Sequence, residues 1–127
     1  MSHFTKIKTK LYNIETLKKS LLDLNIEWTI QTKSVRGYQK AVHEAELVIQ
    51  QENNHDIGFQ WNGKEYELVT DLMFWSQDIS VDKFLNRINQ RYAYNSIIGV
   101  SEKEGFTFAQ TETTEDGSIK LLLRRFN

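Results

Sequence analysis

The stretch DIGFQWNGKEYELV, residues 56 to 69, limits the possible folds more than any other part of the chain. Asn62-Gly63 between two alternating runs is the strongest short-range hairpin signal, because both residues tolerate the positive φ of a type I′ turn. With those two as the turn, Trp61 opposes Lys64, Phe59 opposes Tyr66 and Ile57 opposes Leu68. The apolar members then share one face and Gln60, Glu65 and Glu67 the other, so pattern and turn predict the same register.

The remaining elements arrange themselves around this hairpin. At the start, Phe4, Lys6, Lys8 and Lys10 alternate with Thr5, Ile7, Thr9 and Leu11, the period of a strand. The lysine row reads as a wet face that discourages edge-to-edge pairing. Asn13 can cap a helix over 14–24, with Glu15 in its first turn, Leu17, Leu21 and Leu24 at helical spacing, and Asn25 as its stop. IEWTIQT (26–32) and AELVIQQ (45–51) predict two strands, with Gly37 marking a bend between them. The second hairpin strand is expected to continue through TDLMFW.

Ser80 predicts the cap of a second helix, with Asp82 in its first turn and Leu85, Ile88 and Tyr92 as its apolar stripe. The stripe loses phase at Asn95-Ser96, so a kink or break is expected there, before a last helical piece ending at Gly105. FTFAQTETTEDGSIKLLLRRF predicts a final hairpin whose three-residue loop, Glu115 to Gly117, pairs Glu112 with Lys120. The expectation is one α+β domain over residues 1–127: an antiparallel sheet of about six or seven strands with two helices packed on one face. Strand, helix and strand pair recur in order from residue 3 and from residue 64, a pattern compatible with pseudo-duplicated halves.

Charge and composition exclude several functions. Sixteen basic against 17 acidic residues give a net charge of −1, which argues against affinity built on neutralising many phosphates. The absence of cysteine removes disulfides and thiolate sites. No apolar run approaches the roughly 20 residues needed to span a bilayer, and MSHFTKIKTK has no transit-peptide character, so no membrane insertion is expected.

No complete catalytic set is present. HEAEL at 43–47 lacks the second histidine of a zinc helix, and His3 and His55 form no ligand spacing. The six glycines form no phosphate loop, and Glu65 and Glu67, though on one side of a strand, read as solvated surface. No metal or cofactor is called for. Two binding surfaces remain. In NRINQRYAYN (86–95), Arg87, Arg91 and Tyr94 make one helical strip able to grip carboxylates or phosphates, unless the arginines pair within the domain. In LMFWSQD (72–78), Met73 and Trp75 belong to an apolar run that either meets a partner or tucks under the following helix.

MSHF at the start, VRGYQ (35–39), DIGF with WNGKEYELV (56–69), FW (74–75), QRYAY (90–94) and DGSIKL (116–121) resemble the family called hypothetical chloroplast reading frame thirty-five. The likeness spans essentially the whole chain. It implies a soluble plastid-encoded protein, placed in the stroma, or in the cytoplasm if the source is a cyanobacterium. It implies no catalytic residues.

The leading expectation is therefore a non-enzymatic binding or assembly factor with a protein partner, using Arg87, Arg91 and Tyr94 for polar recognition and Met73 and Trp75 for apolar contact. One alternative is a single-stranded RNA binder, stacking bases on Trp28 or Phe108 beside Arg124 and Arg125. Another is an enzyme for a small anionic metabolite, which requires a concave pocket near Arg36, Tyr38 and the second helix.

Overall fold

The computed structural model describes residues 3–103, 106–113 and 119–125, with side chains through residue 100. Four strands, β1 (Thr5–Leu11), β6 (Tyr66–Thr70), β5 (Ile57–Trp61) and β4 (Leu47–Ile49), form an antiparallel sheet in that spatial order. Helices α1 (Ile14–Asp23) and α2 (Val81–Lys103) cover one face. Leu17 and Leu21 from α1 and Phe84, Leu85 and Ile88 from α2 meet Leu11, Leu47, Phe59 and Leu68 from the sheet in one core.

The other face carries a second, smaller layer. Strands β2 (Ser34–Arg36) and β3 (Val42–Glu44) pair with each other and lie over β4 and β5, where Val35, Ala45, Val48 and Phe4 pack together. The approach is close enough to require glycine at position 58: a Cβ there would lie 2.4 Å from Val35 Cγ2 and 2.9 Å from Ala45 Cβ. The last two strands, β7 (Phe106–Thr113) and β8 (Ile119–Arg125), form a hairpin of their own. The α+β class is as expected, but the single sheet of six or seven strands is replaced by a four-stranded sheet and two strand pairs. The strands β2 and β3 that follow α1 lie in the segment read as a bend, not at 26–32 and 45–51 as the pattern of repeated halves assumed.

Local signals that close within a few residues are realised. Asn13 Oδ1 accepts the Thr16 N–H at 3.0 Å, capping α1, and Asn25 ends it in a left-handed conformation at φ 59°. Ser80 Oγ accepts from Lys83 N at 3.2 Å at the start of α2. Lys6, Lys8 and Lys10 are exposed on β1, an edge strand. Glu112 opposes Lys120 as expected, while the loop residues between them lie outside the described set.

Four expectations need correction. The central hairpin is shifted by two: Trp61 opposes Tyr66 and Phe59 opposes Leu68. Asn62 Oδ1 accepts from Lys64 N and Glu65 N, and among turn residues 62–65 only Gly63 has positive φ, so the turn spans Asn62 to Glu65 instead of two residues. A shift of two leaves every side chain on its predicted face. Residues 26–32 form no strand and touch β4 through one bridge, Thr29 to Val48, because Thr29 Oγ1 turns the chain by accepting from Gln31 N.

The β6 strand stops at Thr70. Asp71 Oδ1 accepts from Met73 N, and residues 72–74 wind into a 3₁₀ turn. Finally, α2 runs through Asn95-Ser96 without a break. Asn95 is buried, and its Nδ2 donates to Ser20 Oγ and Asp23 Oδ2, both at 3.0 Å, so a polar contact with α1 fills the gap in the apolar stripe.

Candidate functional site: a ring-lined cleft

A cleft of about 640 Å³ opens between the β2–β3 turn, the loop at 53–55 and Phe74. Its floor is aromatic. The Tyr38 and Phe74 rings lie 5.7 Å apart with 14° between their planes, and His55 lies 4.0 Å from Phe74 at 21°. The Tyr38–Phe74 separation falls in the range favoured by the quadrupoles of the rings.

Two hydrogen-bond hubs hold this floor in place. Buried Gln51 donates through Nε2 to the carbonyls of His55 and Phe74, and its Oε1 accepts from Ser76 N and Gln77 Nε2, each at 2.9 Å. Asn53 Nδ2 adds a 2.9 Å bond to the Phe74 carbonyl. His55 Nδ1 lies 2.8 Å from the Asn53 carbonyl, and since a carbonyl can only accept, Nδ1 carries the proton.

Arg36 forms the polar wall. Asp56, with a side chain 0% exposed, accepts from Arg36 N, Nε and Nη2, each at 2.9 Å, while Nη1 donates to Asn54 Oδ1 at 3.0 Å. The hydrogen bond to Asp56 raises the Arg36 pKa further above its ordinary value, burial opposes this, and the carboxylate charge adds to it. The Arg36 side chain is still 41% exposed, and Arg36 lines the cleft. Lys40 also lines the cleft, and no Asp or Glu does.

The rim is held in an uncommon backbone conformation. Gln39, Lys40 and Asn54 have φ of 51°, 63° and 61°, three of the five non-glycine residues with positive φ among those described. Left-handed conformations of non-glycine residues concentrate at sites where the surroundings impose them.

The residues anticipated on α2 are used differently. Arg91 Nε donates to Asp23 Oδ2 at 2.9 Å, and its guanidinium sits 4.2 Å over the Tyr94 ring. Burial raises the Asp23 pKa, but hydrogen bonds from Asn95, Arg91 and Lys19 and the Arg91 charge outweigh it, so the net shift is downward. Arg87 lies apart, exposed in a smaller recess of about 250 Å³ beside Asp78 and Phe84, with no ion pair among the described residues. The strip Arg87-Arg91-Tyr94 is therefore divided between a helix–helix contact and a separate recess.

Met73 and Trp75 also diverge. Met73 is 72% exposed and neighbours Leu72 at 43%. Trp75 instead packs its edge against Phe84, 5.0 Å between centroids, and donates its indole N–H to the Ile79 carbonyl at 2.8 Å. Tyr92, expected in the core, does pack there, and its hydroxyl oxygen accepts from Tyr12 N and Asn13 N. Trp28 is half-buried beneath the Lys18 ammonium, and Phe108, Arg124 and Arg125 are placed by backbone register in β7 and β8.

A family model described as "Protein of unknown function (DUF1257)" matches residues 20–122, most of the chain and every element of the cleft. The chain belongs to the DUF1257 family. A relative from Guillardia theta named "Uncharacterized protein ycf35" is 51% identical over 126 residues, covering 99% of this chain and 98% of the relative. Proteins of the same name from Pyropia yezoensis and Cyanophora paradoxa are 41% identical over 127 residues (100% and 99% covered) and 37% over 126 (99% and 98%). No solved structure gives a significant match.

Of the residues that line or support the cleft, the sequence singled out Arg36 and Tyr38 as secondary candidates and did not single out His55, Phe74, Gln51 or Asp56. His55 and Asp56 read as a loop leading into the hairpin, and Phe74 as one member of an apolar run. The pocket expected near Arg36, Tyr38 and α2 exists at the first two, but no residue of α2 lines it. Among the described residues, no group of three or more His, Asp or Glu could hold a metal ion, and no helix is long and apolar enough to cross a membrane.

Proposed function

We propose that this DUF1257 protein is a non-enzymatic binding protein of the plastid stroma, and that its ligand occupies the cleft between Arg36, Tyr38 and Phe74. The observation that carries this reading is a fixed concavity of about 640 Å³ whose aromatic floor and cationic wall are both locked by buried partners. Pockets of this size, largely apolar with a few placed polar groups, suit small ligands. The chemistry of the lining favours binding over catalysis. No Ser, Thr, Asp or Glu lines the cleft to act beside His55, whose Nδ1 is already committed to the Asn53 carbonyl.

The test is a small-molecule screen followed by amide chemical shifts of the whole protein. A true ligand moves the signals of Arg36 to Val42, Asn53 to His55 and Phe74 together and leaves α1 unmoved. Shifts confined to Arg87 and its recess, or none from any compound, would refute the assignment.

A second reading, association with a protein partner, draws on the exposure of Leu72 and Met73 next to Phe74. It predicts a stoichiometric partner on affinity purification from plastids that Met73→Ser loses. Retention of that partner by the variant would remove this surface from consideration.

A further inference from the structure

The unmatched polar groups around the cleft narrow the ligand further, given the binding role proposed above. Of the five guanidinium N–H groups of an arginine, three in Arg36 are engaged by Asp56 and Asn54, leaving one on Nη1 and one on Nη2. Lys40 contributes an exposed ammonium, and Asn54 Nδ2 has no partner among the described residues. These groups are all donors, two of them cationic, and no carboxylate of the lining competes for them. The wall thus calls for an anion rich in acceptor oxygens.

The floor calls for something else in the same ligand. Tyr38 remains 36% exposed while its ring stacks near-parallel with Phe74, so a flat aromatic body can extend the existing stack. The cleft is also larger than either an isolated oxyanion or a single ring requires.

We propose that the cleft is a mononucleotide site, in which the base lies on Tyr38 and the phosphate is held by Lys40 and the two remaining N–H groups of Arg36. Stacking on a tyrosine tolerates any base, so the site reads the class of ligand more strongly than the identity of the base. Discrimination among bases would fall to Asn54 Nδ2 and the Gln39 amide at the rim.

The experiment is isothermal titration of the full-length protein with AMP, GMP, CMP and UMP, beside adenosine and inorganic phosphate. At least one nucleotide should bind about tenfold or more tighter than both adenosine and phosphate, since its two parts engage two different walls. Tyr38→Ala and Lys40→Gln should each weaken it about tenfold, while Tyr38→Phe should preserve it. Tyr38 and Lys40 are exposed, so the variants should keep the parent thermal midpoint, and Arg87→Gln serves as a control outside the cleft.

Equal affinity for nucleotide and phosphate, or binding insensitive to Tyr38→Ala, would overturn the assignment. Tighter binding of a short oligoadenylate than of AMP would overturn it in favour of a single strand. If the nucleotides fail while aromatic carboxylates such as salicylate shift the cleft signals, the nucleotide assignment falls and the cleft remains the site. If nothing moves those signals, both fall.

Discussion

Two arginine–aspartate pairs in this protein have the same Nε–Oδ2 distance, 2.9 Å, and do different work. In Arg36–Asp56 the carboxylate is fully buried, receives a backbone N–H as well as the guanidinium, and ties β2 to the start of β5. In Arg91–Asp23 the carboxylate is 18% exposed, shares itself with Asn95 and Lys19, and fastens α2 to α1. The first pair leaves its arginine facing a concavity; the second folds its arginine against Tyr94. A salt-bridge length therefore says little about role until the burial of the acid and the direction of the remaining N–H groups are known.

The largest loss is expected at Asp56. Replacing it with Ala strands a partly buried guanidinium and the Arg36 amide, and should destabilise the protein by about 3 kcal/mol, kept to the low end of the buried-pair range by the exposure of Arg36. A urea denaturation midpoint barely moved from the parent would show that the pair is not a structural anchor. Next comes Asn95→Ala, which removes one buried and one partly buried hydrogen bond and should cost about 1–2 kcal/mol in the same assay. A neutral result would mean that the continuity of α2 does not depend on that contact.

Asp23→Asn should cost less, under about 1 kcal/mol at neutral pH, because the pair is open to water. Its signature is in the pH dependence. The folded-state pKa lies below the ordinary value of 3.8, so the native carboxylate holds its charge more strongly than the unfolded one. That contribution is present above the unfolded value and fades as pH falls through the folded one, so the parent should lose its advantage over Asp23→Asn in acid, below about pH 4. A constant gap between the two down to pH 2 would contradict it. The smallest effect is expected for Arg87→Ala, within about 0.5 kcal/mol; a larger loss of thermal stability would reveal a contact for Arg87 beyond its recess.

The same contrast explains what could be read from the sequence. Helix α1 was legible from end to end because Asn13 and Asn25 act on amides or backbone angles within a few residues. The faces of the central hairpin were legible because alternation fixes them, but its register was not, since it depended on the Asn62 side chain bonding the next turn of backbone. Residues 26–32 alternate like a strand and still fail to become one, because only Thr29 meets the edge of β4. At the cleft, Arg36 and Tyr38 stood out as residue types, but their partners lie 18 to 36 positions along the chain, and no local pattern announces such a meeting.

Among the described residues the sheet partner of β1 is β6, so β1 is paired only after about 55 further residues have been added. At roughly 5–20 residues per second, that leaves β1 unpaired on the ribosome for several seconds. Lys6, Lys8 and Lys10 place like charges at alternate positions of that unpaired strand, a pattern that disfavours its pairing with another copy during the interval.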